Sequence, residues 1–402
     1  MNILRTFGRT ALLPLALIAV AATAQAQQVI RIGAPLALTG GLADEAREQQ
    51  VAYDMWLKRV KAAGGIDVGG KKLKVELVES DYQSNDQRAQ QMAEKMISQD
   101  KVDFMVSPFG SGHTKVVAGV AERYGVPVVA PSASSESVFD QGFKYLFGTL
   151  APNGGLVETM VQQFVKKRPG VKRIAILGRE DVFPRPMLAS MREAARKAGL
   201  EIVHDELYPV GNLDFSASMS RIRATKPDWI YVTGYDKDLI LARKQMADLG
   251  VAAPIVTMIT GLAYPEFVNN LGPLAENVSS VTWWHKATPY TSGDVFGSTK
   301  AFHDEYLARA KAEPDYVGAS SAAALVALQQ AIEKAGTLDK AKVRDALAAL
   351  DIQTFYGPIK FGLNDMNAGP QLPVIQVQGG KAVLLYPDAI KEAELKPFAA
   401  AK

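Results

Sequence analysis

The stretch KVDFMVSPFGSGHTK, residues 101–115, carries the reading from which the rest of the chain follows. Residues 102–106 form a short, mostly apolar run and read as a buried strand. Small and polar residues come next, and helical spacing begins beyond them. Strand, small-residue loop and helix make up one βα unit. A loop of this kind can cradle a dinucleotide phosphate, present a nucleophilic serine, or hold a small anion on backbone amides. The rest of the chain discriminates between the three.

The unit recurs on both sides. "VIRIGAP", "KLKVELVES" and "VPVVAP" are further strand-like runs, and residues 44–63 and 86–99 have helical period. The alternation restarts after residue 150, where "RIAILG", "LEIVHDELYP", "PDWIYVTG" and "APIVTMIT" are separated by helical stretches such as 154–167 and 186–198. Strands alternating with helices argue for parallel sheets of βα units, and two such series argue for two α/β lobes. The last third differs. Helical stretches at 301–312, 319–335 and 340–350 precede "LPVIQVQ" and "KAVLLYP", which the pair Gly379-Gly380 joins as a hairpin. The closing "ELKPFAAAK" reads as a loose tail.

The N-terminus begins "MNILRTFGRTALLPLALIAVAATAQAQQ". Two arginines, an uncharged run at 11–22 and Ala24-Gln25-Ala26 predict a cleaved secretory signal peptide over residues 1–26, hence a periplasmic protein. Cleavage leaves 376 residues, the size of two or three domains, and lowers the net charge from +3 to +1. That balance gives no electrostatic case for nucleic acid or an anionic membrane. No later stretch is long and apolar enough to be membrane-embedded. Cysteine is absent, which closes the lipoprotein route and leaves stability to the core.

Most chemical readings of the loop fail. Gly110 and Gly112 start a G-x-G-x-x-G pattern, but Lys115 stands at its third position. A nucleophile elbow around Ser111 would need glycine where Phe109 and His113 stand. Of the four histidines, His113, His204, His285 and His303, no two stand at i, i+4. Anion binding remains. Backbone N–H groups at a helix start, with a serine hydroxyl beside them, suit a carboxylate. A second loop, "APSASSESVF" at 130–139, has the same character, with Ser132, Ser134 and Ser135 at another expected helix start. The two loops together predict a carboxylate clamp, against helix capping alone.

With those loops in view, the chain after residue 26 resembles the leucine/isoleucine/valine-binding family, the periplasmic solute-binding proteins of branched-chain amino acid-type ABC transporters. "IRIGAPLALTG", "AAGGID", "GSGHT", "APSAS", "RIAILG", "DWIYVTGY" and "APIVTMITG" stand in the family's order. The resemblance implies an α/β fold: two doubly wound parallel-sheet lobes joined by a three-stranded hinge, the type I periplasmic binding protein. Lobe 1 would be 28–148 plus 285–370, and lobe 2 would be 149–284 plus 371–402. It implies a monomeric receptor with no cofactor and no catalysis, which passes its ligand to membrane permease subunits.

The resemblance also assigns site residues. Ser111 matches the serine that binds the ligand carboxylate through hydroxyl and amide. Ser134 stands at a threonine that serves carboxylate and amine, and Ser132 at a residue whose carbonyl takes an ammonium proton. Tyr235 matches a tyrosine that closes over the ligand, and Phe183 stands where another tyrosine is usual. Glu45 replaces an aromatic residue. Thr260 replaces the acid that neutralises the ligand's ammonium. Burying an ammonium without its partner costs about 3–5 kcal/mol, so the expected ligand is a carboxylate without an α-amine, such as an aromatic acid. Phe183, Tyr235 and Trp283 or Trp284 could stack its ring. The competing expectation is an amino acid, with Glu45 or Asp236 supplying the missing charge. Arg179 or Arg185 could instead hold a second carboxylate. An amidase-like enzyme with Ser111 as nucleophile and a sensory ligand-binding module are the readings from other classes.

Overall fold

Valine and isoleucine suit the pleated, covered surface of a strand, and in a parallel sheet flanked by helices both faces of that surface are buried. The computed structural model describes residues 28–369 and 372–398; the signal-peptide reading lies outside the described residues. The first series of runs becomes β1 (Val29–Leu36), β2 (Ile66–Val68), β3 (Lys71–Asp81), β4 (Phe104–Val106), β5 (Val128–Ala130) and β6 (Leu146–Gly148). They form one sheet in the order β2-β3-β1-β4-β5-β6, parallel except for β2. β4 and β5 are buried throughout, as an interior parallel strand should be.

The second series gives β7 (Arg173–Arg179), β8 (Glu201–Tyr208), β9 (Trp229–Thr233), β10 (Ile255–Ile259) and β11 (Ser279–Val281). The hairpin β12 (Asp351–Thr354) and β13 (Gly357–Lys360) stands apart from both sheets. β14 (Val374–Gln378) and β15 (Lys381–Tyr386) complete the second sheet, in the order β15-β14-β11-β10-β9-β7-β8. β7 to β11 run parallel, whereas β14 is antiparallel to β11 and to β15. Gly379 and Gly380 make the β14–β15 turn at φ +61° and +74°, a region that glycine enters without steric cost.

Helices cover both sheets. Residues 316–328 of helix Tyr316–Ala335 are all buried, which follows from a sequence apolar or small almost all round. That helix packs against helix Ala43–Ala62, β2 and β5, so it covers the first sheet. The chain passes between the sheets after β6, after β11 and after β13. These passages are bonded to one another. Asn367 donates its side-chain amide to the Thr149 carbonyl at 3.1 Å, and its backbone N–H to Gly148 at 2.9 Å. Trp283 Nε1 donates to the Ala151 carbonyl at 2.9 Å.

The C-terminal segment departs from the loose tail read in the sequence. Leu395 and Phe398 are buried, the Phe398 N–H donates to Pro254 at 2.9 Å, and Arg243 lies 5.0 Å over the Phe398 ring. A single large aromatic side chain outweighs the small, polar composition around it, because burying it removes so much apolar surface from water.

A candidate ligand cleft between the sheets

In both sheets the strand order reverses, between β1 and β4 in the first and between β7 and β9 in the second. Ligands of open α/β sheets sit at such switch points, outside the carboxyl ends of the strands. Glu45, Ser111, Ser132, Ser134, Phe183, Tyr235 and Thr260 all follow the carboxyl end of a strand, within the loop or in the first turn of the next helix.

Ser111 opens helix Ser111–Tyr124 and is buried. Before it, Gly110 adopts φ +88°, and a Cβ on it would stand 3.6 Å from the Tyr235 hydroxyl of the opposite sheet. The Gly110 N–H donates to the Ser132 carbonyl at 3.1 Å. The N–H groups of Ser134 and Ser135 both donate to Ser111 Oγ at 3.3 Å. The Ser111 oxygen is therefore turned toward the second serine loop, and its proton is what it can offer a ligand. The Ser132 hydroxyl is buried without a partner. One expectation is corrected. Ser135 opens only the four-residue turn Glu136–Phe139, too short to add much of a helix dipole.

The second sheet contributes rings. Tyr235 precedes helix Asp236–Asp248, half-buried, with the Arg179 guanidinium 5.0 Å over its ring. Phe109 and Phe183 flank it at centroid distances of 6.1 and 5.9 Å. The row of rings continues from Phe183 to Trp283 at 6.3 Å and from Trp283 to Tyr316 at 4.8 Å. Trp284 points elsewhere. It packs edge-on against Phe302 and lines a separate cavity of about 490 Å³ on the other flank of Tyr264. Arg179 is bonded to Asp238 at 2.7 Å and lies 3.3 Å from Asp181, and it braces the Tyr235 ring. Arg185 is an exposed partner of Glu180.

Thr260 follows β10 directly, 1% exposed, with its hydroxyl unpartnered. Glu45 lies in the first turn of helix Ala43–Ala62, 6% exposed. Burial pushes its carboxyl up to about 7. Asp236 shares one small cavity with it and is raised to about 8 by burial, with Glu45 and Glu266 adding to the effect. The two sheets touch across this cleft. The Tyr264 and Tyr316 hydroxyls meet at 2.7 Å, and Lys237 Nζ donates to the Gly41 carbonyl at 3.3 Å. Tyr264, Tyr316, Glu48, Glu266 and Asp315 were not found by sequence reasoning. Asp315 alone carried a local signal, as a helix N-cap that accepts from the Val317 and Gly318 N–H groups.

This architecture has known relatives. The sequence profile described as periplasmic binding protein matches residues 29–382. The chain belongs to the periplasmic binding protein family. This periplasmic binding protein is 26% identical over 395 residues to Leu/Ile/Val-binding protein homolog 8 of Brucella abortus, with 91% of this chain and 93% of the relative covered. LivJ of Streptococcus pneumoniae, a branched-chain amino acid transporter substrate-binding protein solved with isoleucine, superposes with TM-score 0.79 at 24% identity, covering 92% of this chain and all of that one. A solute-binding protein of an ABC transporter from R. palustris, solved with benzoate, superposes with TM-score 0.74 at 19% identity, covering 93% of this chain and 98% of that one. The two sheets are thus those of the type I periplasmic binding proteins, of branched-chain amino acid type. The family works outside the cytoplasm, as solute-binding proteins of ABC transporters. No helix among the described residues is long and apolar enough to cross a membrane.

Proposed function

We propose that this protein captures a small organic acid lacking an α-amine in the cleft between its sheets and hands it to the permease subunits of an ABC importer. Lobe 1 comprises 28–148 and 285–370, lobe 2 the remainder after residue 148, and closure about the three bonded crossings traps the ligand. Ser111 donates its hydroxyl proton to the carboxylate, with Ser132 and Ser134 beside it. Tyr235 and Phe183 cover the apolar part from the second sheet.

The observation that carries the ligand class is Thr260. It is buried at the end of β10, neutral, with an unpartnered hydroxyl, where an ammonium would demand a carboxylate. The row of Phe109, Tyr235, Phe183 and Trp283 supports an aromatic acid. A benzoate-binding relative of the same fold is consistent with that class. A second reading keeps an amino acid as ligand, with Glu45 and Asp236, which share one cavity, as the counter-charge. An isoleucine-binding relative is consistent with it.

Thermal unfolding of refolded, ligand-stripped protein with matched pairs separates the two. Phenylalanine is compared with phenylpropanoate, and leucine with 4-methylpentanoate, with benzoate and coumarate alongside. A ligand at 100 times its dissociation constant adds about 2.7 kcal/mol of stability. Stabilisation by the amine-free acids alone is the expected result. Stabilisation by the amino acids alone sinks it in favour of the second reading.

A further inference from the structure

A second group of side chains meets across the cleft. Glu45 and Glu48 come from helix Ala43–Ala62, and Asp315 caps helix Tyr316–Ala335, both on the first sheet. Asp236 and Glu266 come from the first turns of helices Asp236–Asp248 and Pro265–Leu271 on the second. Glu45, Glu48, Asp236, Lys237, Tyr264 and Glu266 line one small cavity. Glu45 is 6% exposed, and its carboxylate makes no hydrogen bond or ion pair to another residue among the described residues. Asp236 Oδ1 is buried without a partner, and the Glu48 and Asp315 carboxyls face each other within hydrogen-bonding reach, a contact that requires a proton on one of them.

Little positive charge offsets this cluster. Lys237 reaches Gly41 and, at 3.7 Å, Asp44, which also pairs with Arg47. Arg179 is held by Asp238 and Asp181. The other facing groups are the phenols of Tyr82, Tyr235, Tyr264, Tyr306 and Tyr316. Carboxylates brought together and stripped of water favour their neutral forms. Burial raises Asp315 to about 6, and burial together with Asp315 holds Glu48 well above the usual carboxylate range.

We propose that closure of the lobes takes up protons at this acidic cavity, so that anion capture is coupled to protonation of Glu45 and Asp236. The inference needs the two-lobe trap proposed above but not its ligand class. Open to solvent, these carboxylates titrate near about 4. With the two sheets in contact, burial raises Glu45 to about 7 and Asp236 to about 8, and closure is proposed to make that contact. Their raised values favour the closed form fully below the open-form pKa, and that advantage is lost as pH rises through the closed-form values. His113 works the other way. It lies 3.6 Å from Asp86 and faces Asp181 across the cleft, but burial lowers its pKa, so closing expels its proton in acid.

The chain has no cysteine, so Lys72→Cys and Lys197→Cys, exposed positions on opposite lobes, accept a dye pair cleanly. Trans-lobe energy transfer is read on the ligand-free full chain from pH 8.5 to 5. Raising a pKa by one on closure changes the closed-to-open ratio by about a factor of ten, so that ratio is expected to rise by tenfold or more toward pH 5.5. Glu45→Gln with Asp236→Asn should flatten that slope. If this pair does not fold, Glu266→Gln should still reduce it. A pH-independent ratio, or an unchanged slope in the variants, overturns the inference. So does ligand affinity that rises with pH, which would mark a cationic ligand group in the cavity. Because the transfer signal needs no ligand, a wrong ligand class leaves this result standing.

Discussion

Ser111 joins two loops. Its oxygen accepts from the Ser134 and Ser135 N–H groups, which leaves its proton as the group it can donate. Ser111→Ala would leave both buried amides without an acceptor, at about 1–3 kcal/mol each. Urea unfolding should show a clear loss of stability, and calorimetry should show carboxylate binding lost. Full stability in the variant would mean that the two loops do not depend on this bridge. The serine loops were legible from sequence because small polar residues after a buried strand have few other uses. The link between them was not, because residues 111 and 134 are neighbours only once β4 and β5 pair.

Element by element, local pattern placed the strands and helices to within a few residues. β9 and β10 are wholly buried, which runs made almost entirely of β-branched and aromatic residues, with Met258 the one exception, predict. The C-terminal segment resisted this reading, since its contacts are to residues far off in the chain. Phe398 covers Arg243, which is 2% exposed and whose guanidinium burial pushes down to about 10. Phe398→Ala should lower the stability of the second lobe by about 3–5 kcal/mol, within the range for a buried aromatic. Carboxypeptidase should then remove the C-terminal residues faster than in the parent. Equal trimming rates would show that the segment detaches regardless.

For the molecule as a whole, the proposed function turns on a balance between open and closed arrangements. The Tyr264–Tyr316 hydroxyl pair directly joins residues packed on the two different sheets. A hydrogen bond is worth about 0.5–1.5 kcal/mol net, so Tyr316→Phe should weaken ligand affinity roughly two- to tenfold while each lobe keeps its melting temperature. Unchanged affinity would mean that the pair forms equally well in the open protein. The acidic cavity acts at the same scale, because Asp236 and Glu266 of the second sheet add their charge to Glu45, Glu48 and Asp315 of the first only where the two sheets meet.

Hydrophobic period, turn residues and the order of the βα units are local properties, and they determined the α/β class, the two series of strands and the loops that face the cleft. The aromatic rings and carboxyl groups that meet there come from residues 45, 109, 183, 236, 266, 283 and 315. Nothing in the neighbourhood of any one of them marks the others. Strand order and the packing of the two sheets alone bring five carboxylates together beside one lysine, and burial then changes their chemistry.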